Sequence, residues 1–222
     1  MQPLNAARLF SASLAHQSDM PPEVEELVRH LDSSLASAEE LISDLLDISR
    51  LEAGRIVPEL GDFALSELFD PLRIEFSALA VEQGIDLRIH SSRLRMRSDM
   101  RLLRRVLQNF LTNAFRYASA ARVVLGVRHL HGAVRIEVWD QGPGIPQDKL
   151  QLIFEEFQRL DSHRTQAEKG LGLGLAIADG LCRVLGHELS VRSWPGHGSV
   201  FSVTVPLASM PRTVRSRTAK PA

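Results

Sequence analysis

Cysteine, long apolar runs and net charge are all scarce in this chain, and each scarcity excludes a class of protein. Cys182 is the single cysteine among 222 residues, so neither an internal disulfide nor a cysteine metal cluster can form. No apolar run approaches the roughly 18 residues of a membrane helix, and no signal peptide opens the chain. The formal net charge of -1 argues against a general nucleic-acid or anionic-membrane binder. We therefore expect a cytoplasmic location, while a membrane anchor in a longer parent protein stays open.

The composition that remains is typical of a globular protein. Hydrophobic residues make up 44% of the sequence and charged residues 24%. The length suggests one or two domains, each able to bury a core. Because Cys182 lies in an apolar helical pattern, we expect a buried and unreactive thiol.

The first 54 residues predict a helical hairpin. One helix is expected from residue 1 to about 18, and a second from 23 to about 53, with Gly54 as its C-terminal cap. Prolines at 21–22 separate them. A helix of about 30 residues is a rod of about 45 Å, too long for one short partner helix to cover. We therefore expect two copies to form a four-helix bundle, as a homodimer. The alternative is a hairpin folded back onto the rest of the chain.

After a linker at 55–59, residues 60–207 predict one α+β domain. We expect helices mostly on one face of a mixed sheet. The expected helices are one capped by Ser66 and ending near Gly84, one capped by Asp99, and one ending near 185. The expected strands lie at 85–89, 123–127, 134–139, 189–191 and 200–205. Residues 208–222 have no apolar pattern and are predicted to be a disordered tail or linker.

The helix expected at 108–117 carries the first candidate site. Asn109, Asn113, Arg116 and Tyr117 lie at i, i+4, i+7 and i+8, on one face beside an apolar stripe. A nucleotide with its metal ion would use all four side chains. Taken alone, an ordinary amphipathic helix with a polar solvent face fits equally well.

A second candidate follows the predicted strand that ends at Trp139. Asp140 at the end of a strand can accept a hydrogen bond from an exocyclic amine, and Gly142 and Gly144, before Ile145, let the backbone pass close to a flat ring. By itself this motif also fits a plain Asp-Gly turn.

The third candidate is a glycine-rich helix start, whose free backbone N–H groups suit phosphate oxygens. Its residues are Lys169, Gly170, Leu171, Gly172, Leu173, Gly174 and Leu175. The spacing matches neither the dinucleotide fingerprint nor the Walker loop. Before it, Phe154 and Phe157 precede a polar run at 161–169 that is either functional, as a lid over a bound nucleotide, or disordered. A fourth stretch, 196–199, ends in Ser199 and either closes a pocket floor or forms a hairpin turn.

Together these stretches resemble the catalytic domain of sensor histidine kinases over residues 60–207. The motifs that carry the resemblance, in this order, are Asn109-x-x-x-Asn113, Asp140-x-Gly142-x-Gly144, Phe154-x-x-Phe157, Gly170-x-Gly172-x-Gly174 and Gly196-x-Gly198.

The resemblance implies a GHKL-type (Bergerat) site for ATP and Mg²⁺. Asn113 would be the magnesium ligand with Asn109 supporting it, Arg116 would face the phosphates, Tyr117 would line the base, and Asp140 would bind the adenine amine. Magnesium suits such a site because it takes few protein oxygens and completes its shell with water and phosphate. The other residues that this implies for ATP binding are Gly142, Gly144, Ile145, Phe157, residues 169–175 and Ser199.

Residues 1–54 resemble the dimerisation and histidine-phosphotransfer hairpin of the same family. The family's acceptor box runs His-Asp/Glu-apolar-x-x-Pro-Leu, and Pro3-Leu4 match its end. The acceptor histidine is therefore expected before Met1, and Gln2 would occupy the position that assists phosphatase activity. His16 and His30 lack the box and are interpreted as surface histidines.

The function implied is phosphoryl transfer from ATP to a histidine, for relay to a response-regulator aspartate. Relatives that hydrolyse ATP carry a glutamate where Asn109 stands, and an amide cannot act as a general base. A response-regulator receiver domain and an upstream sensor domain in the parent are the implied partners, and we expect no nucleic acid. This chain alone is not expected to autophosphorylate. Two alternatives stay open: a catalytically silent dimerisation or docking module for another kinase, and a serine kinase acting on a transcription-factor antagonist, against which the hairpin counts.

Overall fold

Two helices open the described part of the chain and pack against each other. The computed structural model describes residues 2–15, 21–117, 122–158 and 171–208. Helix α1 spans Gln2–Ala15 and helix α2 spans Pro22–Glu52. Pro22 lies in the first turn of α2, where its missing N–H costs nothing, and Gly54 follows the helix with a φ of 60°. Both predicted helices are present, although residues 16–20, which include the predicted end of the first helix and the first half of the predicted break at 19–22, lie outside the described residues.

Three helices, a five-stranded mixed sheet and a two-stranded sheet form most of the remaining described residues. The helices are α3 (Leu65–Gln83), α4 (Met100–Tyr117) and α5 (Gly174–Leu185), and the strands are β1 (Gly61–Ala64), β2 (Asp86–Ile89), β3 (Arg95–Ser98), β4 (Arg122–Leu130), β5 (Ala133–Asp140), β6 (Glu188–Trp194) and β7 (Gly198–Pro206). The large sheet has the order β2-β4-β5-β7-β6, in which only the β2–β4 pair is parallel. This arrangement confirms the predicted α+β architecture.

The core lies between the sheet and the three helices. Helix α4 buries one complete face against it: Leu103, Leu107, Phe110 and Ala114 are all fully buried, as their spacing predicted. The ring of Phe110 lies 5.6 Å from that of Phe201 on β7, measured between centroids. Cys182 is buried in the same core, and burial raises the pKa of its thiol to about 12, so the thiol stays protonated at neutral pH.

Two details of the predicted domain were wrong or missing. Helix α3 begins at Leu65 rather than after Ser66, because the chain passes directly from β1 into the helix and the N–H of Ala64 donates to Glu67 Oε1 at 2.8 Å. The antiparallel pair of β1 and β3 was not predicted, since each strand has only four residues and so shows too little alternation.

The start of α4 follows the prediction. Asp99 Oδ1 accepts hydrogen bonds from the N–H groups of Arg101 (2.9 Å) and Leu102 (3.2 Å), which caps the helix. Its other oxygen accepts the N–H of Glu59 at 2.8 Å. The residue that begins α4 therefore also attaches the linker to the domain.

One side of α2 contacts the domain, while apolar residues on another side remain exposed. Leu51 packs on α5 beside Gly180. A Cβ added to Gly180 would lie only 2.8 Å from Cδ1 of Leu51, so the two helices are in close contact there. The exposed apolar stripe of α2 consists of Val24, Leu27, Leu31, Ile42, Leu45 and Leu46. No helix in the described residues combines the length and apolar character of a membrane span.

Candidate nucleotide-binding site

A cavity of about 400 Å³ opens beside the polar face of α4. It is enclosed by α2, α4, the loop after β5, the start of α5 and the start of β7. Because the apolar face of α4 is locked into the core, the opposite face has to point into this cavity. The sequence-predicted site residues that line it are Asn109, Asn113, Arg116, Tyr117, Asp140, Gly144, Ile145, Leu171, Gly172, Leu173, Gly174, Leu175 and Ser199.

Asn109 lies where α4 meets the start of α5. Its Nδ2 is buried and has no hydrogen-bond partner among the described residues. A Cβ placed on Gly174 would lie 3.3 Å from its Oδ1, so the glycine allows the helix start to approach the amide closely. A buried amide without a partner costs free energy, and a ligand that accepts its hydrogen bond would recover that cost.

Asp140 is held at the end of β5 by backbone groups. Its Oδ1 accepts the N–H of Gly142 at 2.8 Å. Burial raises the pKa of Asp140, and the backbone N–H groups of Gly142 and Ser199 oppose this rise. The carboxylate is buried and oriented, and it can accept a further hydrogen bond from a flat ligand in the cavity.

Glycine is required in the loop after Asp140 because the backbone of the β6–β7 turn lies against it. Gly144 has a φ of 70°, and a Cβ there would lie 2.2 Å from the carbonyl oxygen of Trp194. The N–H of Ile145 donates to Ser193 Oγ at 2.7 Å, which attaches the loop to β6. The glycine motif therefore keeps this wall of the cavity thin and fixed.

Some predicted site residues lie elsewhere. Gly142 does not line the cavity but supports Asp140, and a Cβ there would meet the carbonyl oxygen of Tyr117 at 3.1 Å. Phe157 lies outside the lining, 59% exposed and with a φ of 62°. Lys169, Gly170, the candidate lid at 161–169, His16 and the tail from 209 lie outside the described residues. The backbone of Gln2 begins α1, but its side chain is outside the described part of the structure.

Two parts of the sequence match known families. Residues 98–209 match the family described as histidine kinase-, DNA gyrase B- and HSP90-like ATPase. Residues 2–54 match the His kinase A (phospho-acceptor) domain. The chain belongs to the sensor histidine kinases. The family resemblance drawn from the motifs is thereby confirmed.

Named relatives agree with this histidine kinase assignment. The chain is 29% identical to hybrid signal transduction histidine kinase B of Dictyostelium discoideum, over 96% of this chain and 11% of that protein. It is 29% identical to sensor histidine kinase RcsC of Escherichia coli, over 87% of this chain and 21% of that protein. Among solved structures, full-length ShkA in complex with AMPPNP superposes with a TM-score of 0.75 at 29% identity, over 94% of this chain and 44% of that one. The chain thus spans less than half the length of each.

The kinase pocket also contains residues that the motifs did not indicate. Glu40, Leu41 and Asp44 of α2 line it, as do Thr112 on α4 and Lys149 after β5. Thr112 lies about one turn after Asn109, so helical spacing alone could have found it. No local signal in the sequence indicates that α2 reaches the cavity.

The pKa of Asp44, in the part of the cavity lining that α2 contributes, is strongly raised. Burial raises its pKa from 3.8 to about 6, Glu40 and Asp47 add to the rise, and Arg105 and Arg116 oppose it. Arg105 on α4 donates from Nη2 to Asp44 Oδ1 at 2.7 Å and from Nε to Asp47 Oδ2 at 3.0 Å. The charge of Asp44 is therefore costly to bury and depends on two arginines of α4.

A metal ion in this kinase site would need the nucleotide. Within the described ranges, no group of three or more His, Cys, Asp or Glu side chains is placed to hold a metal. Asn113 offers an amide oxygen in the cavity. Magnesium accepts such a sparse protein contribution when phosphates and water complete its shell, so the donor set fits Mg²⁺ bound together with ATP.

We expect Asp44 to titrate near neutrality. Carbon-13 NMR of the side-chain carboxyls should give a midpoint at about 6 for Asp44. Because this folded-state pKa lies above the ordinary 3.8, the contribution of Asp44 to stability is full below about pH 4 and is lost as the pH rises through about 6. Arg105→Gln should raise the midpoint further, since Arg105 favours the carboxylate.

Glu75→Gln is the matched control for this titration. Glu75 on α3 pairs at 3.0 Å with Arg104, the neighbour of Arg105 on α4, and this pair lies away from α2. Removing the charge of Glu75 should therefore leave the Asp44 midpoint unchanged. An Asp44 midpoint near the ordinary value would contradict the buried arrangement.

Proposed function

We propose that this chain is the ATP-binding catalytic core of a sensor histidine kinase, which transfers the γ-phosphoryl group of ATP to a histidine for relay to a response-regulator aspartate. The observation that carries the proposal is the asparagine pair on α4, with Nδ2 of Asn109 buried and both side chains lining the cavity between Asp140 and the start of α5. The match to the ATPase family and the AMPPNP complex of the relative ShkA support nucleotide binding.

The residues of the cavity suit the two ends of ATP differently. Asp140 would accept the exocyclic amine of adenine, with Ile145 and the glycine loop against the ring. Arg116, Lys149 and the N–H groups at the start of α5 would face the phosphates, where positive charge and helix-terminal donors favour oxygen anions. This division explains why the carboxylate of Asp140 can share the pocket with a polyphosphate.

Phosphoryl transfer requires position and charge neutralisation more than an in-domain nucleophile. Bound with the nucleotide, Mg²⁺ would neutralise charge on the phosphate oxygens, with Asn113 as its protein ligand and Asn109 supporting Asn113. Since the amide of Asn109 cannot deprotonate water, the site favours transfer to an incoming imidazole over hydrolysis. That the acceptor histidine precedes Met1, that Gln2 assists dephosphorylation and that the protein is cytoplasmic stay predictions.

Asn113→Ala should weaken Mg·ATP binding at least tenfold, about 1.4 kcal/mol or more, because it removes the proposed protein ligand of the metal. Isothermal titration calorimetry with and without magnesium measures this directly. Gln108→Ala is the matched control, because Gln108 lies on the same helix but its amide donates to Glu75 at 2.9 Å, away from the cavity. Magnesium-independent binding, or equal binding by the Asn113 variant, would refute the proposed site.

The second candidate is a catalytically silent docking module. An active core given a histidine in the right place should still phosphorylate it.

A three-residue extension, His-Glu-Ile, placed before Met1 and preceded by a helix-forming segment would complete the acceptor box with Pro3-Leu4. With radiolabelled ATP and magnesium, the proposed kinase function predicts that the extended chain becomes labelled and that the label then passes to a receiver domain. A Gln-Glu-Ile extension and the Asn113→Ala variant should carry no label. Absence of label from the His-Glu-Ile chain, with ATP binding intact, would favour the docking module.

We further propose that residues 1–54 form a homodimer through the apolar stripe of α2. Leu27 is 66% exposed and Leu31 and Leu45 are each 47% exposed, an arrangement that a four-helix bundle would bury. The match to the phospho-acceptor domain supports this.

Leu31→Glu should convert the dimer to a monomer of about 24.7 kDa, because it places a charge in the buried seam. Light scattering after size exclusion measures the mass. Ile74→Glu is the control, since Ile74 is 78% exposed on α3 and lies outside the hairpin. A monomeric wild-type chain, or a Leu31→Glu chain that stays dimeric, would exclude this interface.

A further inference from the structure

Helix α2 forms one wall of the cavity in which the proposed function places ATP. Glu40, Leu41 and Asp44 lie within one turn of each other and line the same space as Asn113 and Arg116. The nucleotide site is therefore composite: the domain at 60–207 supplies most of it, and the hairpin supplies two carboxylates.

An ion-pair clamp holds this wall in place. Arg105 lies one turn before Asn109 on α4 and bonds both Asp44 (2.7 Å) and Asp47 (3.0 Å) on α2. The three side chains are only 28%, 11% and 23% exposed, so water screens the clamp less than a surface pair. Leu51 extends the same contact to α5 at Gly180.

Asp44 and the phosphates would be attracted to the same positive charge, that of Arg116. Arg116, which the proposed function assigns to the phosphates, already interacts electrostatically with Asp44, while Glu40 and Asp47 repel Asp44. A γ-phosphate that enters the cavity brings further negative charge toward Glu40 and Asp44. Like charges a few ångströms apart in a partly buried site disfavour each other strongly enough to change an affinity severalfold.

We infer that docking of α2 over the cavity and binding of the γ-phosphate compete. Glu40 and Asp44 are the charges that oppose the phosphate, and the ion-pair clamp of Arg105 is the contact that holds α2 in place. ATP releases the hairpin from the catalytic domain, and ADP, with one phosphoryl group fewer, releases it less. This inference rests on the proposed ATP site and adds its regulation: the charge state of the nucleotide controls whether the domain is free to leave α2.

Calorimetry on the whole chain with Mg·ATP and Mg·ADP tests the competition. Asp44→Asn should tighten Mg·ATP binding about fivefold or more and Mg·ADP binding less than about twofold, because it removes both the opposing charge and the Asp44 half of the ion-pair clamp. Asp47→Asn, which weakens the ion-pair clamp but leaves the cavity lining unchanged, should tighten Mg·ATP binding by a smaller factor. Glu75→Gln, which breaks an ion pair of α4 with α3, should change neither affinity.

Hydrogen exchange supplies the structural readout. Peptides covering residues 40–50 of the wild-type chain should exchange faster with saturating Mg·ATP than with saturating Mg·ADP. Asp44→Asn should raise exchange there without nucleotide. Equal or weaker Mg·ATP binding by Asp44→Asn, or equal exchange with the two nucleotides, overturns the competition while the ATP site stands. A wild-type chain that binds neither nucleotide overturns the proposed function itself, and the competition with it.

Discussion

The two-sided character of helix α4 is the constraint on which the rest of the molecule depends. One face is buried completely between the sheet and its neighbouring helices, from Leu103 through Phe110 to Ala114. A helix held so firmly on one side cannot rotate, so the other face presents Asn109 and Asn113 in a fixed direction. The burial of apolar side chains, which stabilises the domain, is therefore also what orients the polar groups of the site.

Close backbone approach builds the rest of the cavity. Gly144 lies against the carbonyl of Trp194, and Gly174 lies against the amide of Asn109. Neither contact leaves room for a side chain without displacement of a wall. The glycines thus bring a loop, a helix start and a hairpin turn close enough to α4 to enclose one ligand between them.

The contact with α2 would give this enclosure a regulatory role if nucleotide and α2 compete as proposed. A phosphotransfer enzyme has to present its nucleotide to a histidine and then let the domains separate. In the proposed competition, the contact with α2 and the phosphate end of the cavity would share charged side chains, with Arg105 and Arg116 on one side and Asp44 on the other. Nucleotide chemistry and domain movement are then linked through one small set of charges, without the need for a distant pathway.

Local sequence determined the features that depend on neighbours along the chain. The apolar spacing of α4 and the cap at Asp99 follow from helical period and side-chain capping, and the ordered motifs identified the family. Only the tertiary structure decided that α2 lines the cavity, that β1 pairs with β3 and that Phe157 lies away from the lining. Glu40 and Asp44 look like any solvent face of a long helix, and the arginine that binds Asp44 is 61 positions away. Such contacts are set by how whole elements pack against each other, which no local pattern of residues encodes.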